Sequence, residues 1–146
     1  MAMLPFCGYH MAGYFRHWLE TGRRQGARLP KIFMVNWFRK DDGGKFIWPG
    51  FGENSRVLAW IFRRCDGEAD AVETPIGLVP APGAIETNGL GLSAAEMEEL
   101  LKVDPDEWRV QLPQIHQHYA GFGEALPGEL RGQLEALEQR LGPAAG

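Results

Sequence analysis

Between Val35 and Arg56 the chain places five large aromatics, Trp37, Phe38, Phe46, Trp48 and Phe51, among four glycines and the cations Arg39, Lys40, Lys45 and Arg56. Aromatic faces stack planar rings, glycines let a backbone approach a ligand closely, and cations favour phosphate. Together these residue types suit a nucleotide base with its phosphates nearby. Any single Phe reads first as a core residue. Phe38, Phe46 and Phe51 make a stronger case together, because they fall at turns and strand ends beside Arg39, Lys40 and Lys45. A base slotted between rings gains roughly 1–3 kcal/mol per stack. Asn54 carries a donor and an acceptor, and guanine offers adjacent donor and acceptor atoms on its edge.

Gly50-Phe51-Gly52-Glu53-Asn54-Ser55 lies where a strand gives way to a helix, a place where a helix N-terminus can meet an anion. It is not a Walker A loop, since no Gly-Lys-Ser/Thr follows, and Ser55 stands where a dinucleotide fingerprint needs its third glycine. A tight strand-to-helix turn would explain the same glycines. His116-Gln117-His118 is no chelate on a helix, because the two imidazoles point about 200° apart. The carboxylates Glu96, Glu98 and Glu99, and Asp104, Asp106 and Glu107, suit helix N-terminal turns and solvated faces. No Ser/His/Asp or Cys/His pairing stands out.

These residues must be positioned by regular elements. Met11, Tyr14, Phe15, Trp18 and Leu19 repeat as one apolar helix face that should end near Gln25-Gly26. Ile32 to Phe38 reads as a buried strand, Asp41 to Gly44 as a turn, and Lys45 to Trp48 as the returning strand. After Pro49-Gly50-Phe51-Gly52, Asn54 or Ser55 can cap a helix carrying Val57, Leu58, Ile61 and Phe62, which should stop by Asp66-Gly67. Residues 68–92 read as loop, with Pro75 to Pro80 a short edge strand. Ser93-Ala94-Ala95-Glu96 is a capping box. Asp104-Pro105 starts another helix with Trp108, Leu112, Ile115, Tyr119 and Phe122 along one stripe, kinked or limited at Pro113. Leu130, Leu134, Leu137 and Leu141 face one way on the last helix. The expected class is α/β (mixed α+β), with two or three short strands, flanking helices and a helical C-terminus. No repeat or linker divides it.

The totals agree with a soluble globular domain: 146 residues, 45% hydrophobic and 23% charged. No apolar run approaches the roughly 18 residues that span a bilayer, and the start lacks the pattern of a signal peptide, so the cytoplasm is expected. Cys7 and Cys65 fit buried thiols better than a disulfide framework. The net charge of −4 divides unevenly, with 11 Lys/Arg against 5 Asp/Glu in residues 1–67 and 4 against 14 in residues 68–146. The aromatic half is therefore the basic half, as an anionic ligand requires. An acidic, solvated tail packed on a basic core would give the same division.

Three stretches resemble the GTP-dependent phosphoenolpyruvate carboxykinases: Phe6-Cys7-Gly8-Tyr9-His10, the run from Leu29 to Asp41, and above all the run from Phe46 to Leu58. Thr74-Pro75-Ile76-Gly77 and Gly89-Leu90 continue the match. The resemblance is close from about residue 2 to residue 92 and looser beyond. It implies that residues 1–146 are the C-terminal part of the carboxykinase nucleotide-binding domain, with a guanine-binding segment at 35–56 and a helical tail at 93–142. His10 departs from the family pattern, where Asn follows Gly-Tyr, and Met34 stands where many relatives have His.

The resemblance further implies a reaction. Enzymes of this family convert oxaloacetate and GTP to phosphoenolpyruvate, GDP and carbon dioxide in gluconeogenesis. A manganese ion stabilises the enolate oxygen, and magnesium accompanies the nucleotide. Guanine sits in an aromatic slot, which maps here to Phe38, Phe46 and Phe51, with Asn54 on the base edge. The family's phosphate loop, metal ligands and oxaloacetate-binding arginines lie upstream of the matched region, so no catalytic or metal-ligating residue is assigned to this chain. The 146-residue chain by itself is expected to be inactive. The full enzyme is expected to be a monomer with no nucleic-acid or membrane partner. Two other readings stay open: a non-catalytic guanine-nucleotide-binding remnant, and a single-stranded nucleic-acid binder, which the net charge and the lack of a long basic stripe disfavour.

Overall fold

The computed structural model describes residues 7–143. They form two compact units: one runs from Lys31 to Val103, and the other combines the segments before and after it. The class is mixed α and β, with a single two-stranded sheet among the described residues. Among those residues no helix is long and apolar enough to cross a membrane.

The 31–103 unit is built on two tryptophans. Trp48, Trp60, Ala69 and Ile85 are buried together, and Phe33, Trp37, Val57, Ile61, Leu92, Met97 and Leu100 pack around them. Trp60 meets Phe33 edge-on at 6.1 Å between ring centroids, and its indole N–H donates to the Asp70 carbonyl. The first helix of this unit spans Asn54–Asp66, and below is called α2, after α1 (Met11–Arg23) of the other unit. It ends where Gly67 takes φ 81°, letting Glu68 N–H reach Arg63 O and Gly67 N–H reach Arg64 O. That left-handed closure satisfies two carbonyls at the helix end and suits glycine.

Strands β1 (Ala71–Thr74) and β2 (Gly77–Pro80) form an antiparallel hairpin, pairing Ala71 with Pro80 and Thr74 with Gly77. Pro75 and Ile76 make the two-residue connection. The expected edge strand over 75–80 is present from Gly77 as β2; the corrections are that Pro75 and Ile76 sit in the turn and that the stretch read as loop before them holds β1.

The expected strands at 32–38 and 45–48 do not form. Only an isolated bridge joins Lys40 to Phe46. The segment before it still alternates with period two: Phe33, Val35 and Trp37 are half-buried, while Ile32 and Met34 are 92% and 98% exposed. A strand is stabilised by a ladder partner. The chain turns at Asp41–Gly44 and breaks at Pro49-Gly50, so 45–48 is too short to supply one.

Helix α3 (Ala94–Leu101) begins with the expected capping box: Ser93 Oγ accepts from Glu96 N–H, and the Glu96 carboxylate accepts from Ser93 N–H at 2.7 Å. The Ser93 backbone and hydroxyl bonds hold the Glu96 carboxyl below the usual glutamate range. Such a depressed group contributes stability that is complete above the unfolded-state pKa and is lost as pH falls through the lower folded value. The helicity of α3 is therefore expected to weaken on the acid side of the ordinary glutamate range. Far-UV circular dichroism against pH should show that step, and Glu96→Gln should flatten it.

In the second unit α1 buries Met11 and Ala12. Phe15 and His118 both meet the Phe122 ring edge-on. The stripe expected from Trp108 to Phe122 is divided into α4 (Pro105–Arg109) and α5 (Leu112–Ala120), with Pro113 in the first turn of α5. Proline fits there because an N–H of the first turn has no helical partner. Helix α6 (Gly128–Leu141) buries Leu134 and Leu141, and Arg109 donates to the carbonyls of Leu141 and Gly142 at its end. Arg23 pairs with Glu129. Cys65, expected buried, is exposed near the end of α2, because that helix turns Trp60 inward and Cys65 away from it.

Candidate nucleotide-base site

Residues between Trp37 and Asn54 line an open cavity of about 240 Å³ at the surface. Each wall has a local cause. Asn36 Oδ1 accepts from Phe38 N–H at 3.0 Å and sets the turn that presents the Phe38 ring. Arg39 donates to Glu99 Oε1 at 2.7 Å and to Lys102 O at 2.9 Å, fastening the next residue to α3 and the segment after it. Asp41 Oδ1 accepts from Lys45 N–H at 2.9 Å, which closes the turn and returns Phe46 toward Phe38. The two rings then lie 5.9 Å apart at 61°. Lys40 Nζ sits 5.0 Å over the Phe46 ring, within cation–π range.

Pro49, Gly50 and Phe51 complete the lining. Gly50 has φ 75°, a conformation open to glycine. Phe51 follows with φ 45°, the one non-glycine positive φ among the described residues, and is 98% exposed. A bulky residue in that region costs of order 1–3 kcal/mol, and such outliers cluster at functional sites. Packing does not explain an almost fully exposed ring held at that cost.

Phe51–Glu53 form a single 3₁₀ turn that leads into α2. Neither Asn54 nor Ser55 serves as the expected N-cap. Ser55 Oγ donates back to Gly52 O at 2.7 Å, and Asn54 Oδ1 accepts from the Trp48 indole at 2.9 Å. A competing side-chain donor has taken the oxygen that would have capped the helix. Arg56 donates to Glu53 Oε2 and to Glu86 O, anchoring this corner.

The four residues singled out from sequence, Phe38, Phe46, Phe51 and Asn54, thus line one cavity. Trp37 and Trp48 line it too. Both tryptophans belong to the aromatic segment, but sequence reasoning gives Trp48 no role of its own. A signal exists, since a buried indole N–H needs an acceptor and Asn54 lies one helical approach away. The cavity is smaller than the roughly 300–1,000 Å³ of a drug-sized pocket, which suits a planar ring better than a whole nucleotide.

A larger hollow of about 440 Å³ lies in the other unit, beside His116, Tyr119, Arg131 and Leu134. His116 Nε2 lies 2.5 Å from Glu138 Oε1, and Arg131 donates to Gly123 O. Two of its polar side chains, His116 and Arg131, are thus engaged within the protein. Among the described residues no three His, Cys, Asp or Glu side chains converge as a metal site.

Residues 1–140 match the protein family described as phosphoenolpyruvate carboxykinase C-terminal P-loop domain. The chain is 56% identical over 147 residues to a phosphoenolpyruvate carboxykinase [GTP] of Treponema pallidum (strain Nichols), covering 99% of this chain and 24% of that protein. It is 53% identical over 142 residues to the enzyme of that name from Neocallimastix frontalis, covering 96% and 23%. With that of Arthrobacter sp. (strain FB24) it shares 50% over 142 residues, covering 97% and 23%. The chain spans about a quarter of the length of these relatives.

Proposed function

The chain belongs to the GTP-dependent phosphoenolpyruvate carboxykinase family, and from that membership we propose that it holds the guanine base of GTP or GDP as part of a cytoplasmic carboxykinase. The observation that supports this reading is the convergence of Phe38, Phe46, Phe51 and Asn54 on one cavity. The rings supply sequence-tolerant stacking, and Asn54 supplies the polar contact that tells one base from another.

In the whole reaction so proposed, oxaloacetate loses carbon dioxide by cleavage of a carbon–carbon bond, leaving an enolate. The enolate oxygen then bonds the γ-phosphorus of GTP, and the bond from that phosphorus to the β,γ-bridging oxygen breaks, giving phosphoenolpyruvate and GDP. Phosphoryl transfer depends on positioning and on electrostatic stabilisation. This chain's share is positioning: fixing the base restricts where the phosphates can reach. The manganese and magnesium of the family find no converging donor set among the described residues, and no step through them is assigned to this chain.

The test is a titration of the chain with GDP and with ADP, following the fluorescence of Trp37 and Trp48 at the cavity wall. Saturable quenching by GDP, with ADP far weaker, is expected. Equal responses to both nucleotides, or none to either, would remove the guanine reading from this cavity.

A further inference from the structure

One hydrogen bond at the cavity joins two of its lining residues. The Trp48 indole N–H donates to Asn54 Oδ1 at 2.9 Å. Trp48 is 6% exposed and belongs to the buried cluster with Trp60, Ala69 and Ile85, so packing fixes its ring. An asparagine amide has two ends of nearly equal shape, one accepting and one donating. An indole nitrogen can only donate. Turning the Asn54 amide over would set Nδ2–H against the indole N–H and leave a buried donor unsatisfied, which is costly. The indole therefore permits one orientation, with oxygen toward Trp48 and Nδ2 as the remaining end. Among the described hydrogen bonds none engages that Nδ2, and Asn54 lines the cavity.

We propose that Trp48 is a positioning residue: it fixes the polarity of the Asn54 amide and thereby makes the cavity select purines with a carbonyl oxygen at position 6. This rests on the base-site reading above. Guanine and hypoxanthine bring an acceptor at that position, which an amide N–H can meet. Adenine brings an amino donor there. Two donors facing each other leave both unpaired, and a site built this way rejects the wrong partner more strongly than it rewards the right one. Without the indole the amide can rotate and serve either edge. The selectivity then resides in a residue that need not touch the base through its own polar atom.

The experiment is isothermal titration calorimetry of the chain with GDP, IDP and ADP, comparing the unsubstituted protein with Trp48→Phe and Asn54→Asp. In the unsubstituted chain GDP and IDP should bind alike and ADP much more weakly. Trp48→Phe keeps an aromatic ring and deletes the N–H, so the GDP-to-ADP affinity ratio should fall about tenfold with ADP affinity held or raised. Asn54→Asp keeps an acceptor for the indole and replaces the donor end with a second acceptor, so the ratio should move toward ADP. Because the proposal needs that donor end, this variant keeps it open to refutation should Trp48→Phe fail to fold.

A Trp48→Phe protein that loses GDP and ADP binding in equal proportion would show a purely structural role and overturn the proposal. An unchanged ratio in Asn54→Asp would do the same. IDP binding as weakly as ADP would also overturn it, by moving selectivity to the guanine 2-amino group. Failure of the unsubstituted chain to prefer GDP is a different result: it removes the base-site reading itself.

Discussion

Replacing Phe51 with alanine is expected to weaken GDP binding about ten- to a hundredfold while leaving the unfolding transition where it was. The two halves of that expectation have separate causes. The ring is 98% exposed, so its removal forfeits almost no packing within the protein. In the proposed complex it would cover one face of the base, and loss of one stack removes roughly 1–3 kcal/mol. Phe51→Gly sharpens the experiment. With φ at 45°, a glycine relieves the backbone cost that Phe51 bears. That variant should bind as poorly as the alanine form and yet unfold at a higher temperature. Calorimetric titration with GDP and a thermal melt on each protein check both parts. A Phe51→Ala protein with unaltered GDP affinity would count against a base at this wall.

Trp60→Ala should act on stability instead, with a cost of about 3–5 kcal/mol. The side chain is 4% exposed, contacts Phe33 edge-on and ties its N–H to the Asp70 carbonyl. Truncation leaves a cavity at the centre of the 31–103 unit and removes the donor from that carbonyl. Phe62→Ala, on the same helix but 70% exposed, is the matched control and should change stability by less than about 0.5 kcal/mol. Urea denaturation followed by circular dichroism distinguishes them. Similar losses for the two variants would mean that Trp60 is not the centre of this core.

What is legible in the sequence follows the range of the interactions. Helix limits set by neighbours in the chain agree with the structure: the Ser93–Glu96 box, the stop at Gly67 and Pro105 at the start of α4 all depend on contacts within a few residues. The cavity is legible for a related reason, since its residues come from one stretch of about twenty positions. The strands mislead because composition reports what a segment prefers and not whether a partner lies beside it. Ile32 to Phe38 has strand residues and the alternation of a strand, yet it joins no ladder, and the nearby bridge pairs Lys40 with Phe46 instead. Of the hairpin, β2 falls inside the expected edge strand, while β1 at 71–74 escapes for the opposite reason: four residues beside a glycine-rich stretch carry too little pattern to register. The Trp48–Asn54 bond stays hidden because Asn54 looks like an N-cap, and sequence cannot say which donor an amide oxygen will choose.

Ile32 and Met34 add a consequence for handling the protein. A period-two segment with one side covered and the other bare offers its backbone and two large apolar side chains to any extended chain that drifts past. Concentration, rather than heat, then becomes the variable that limits a preparation. Self-association on concentration is therefore expected to begin at this short edge.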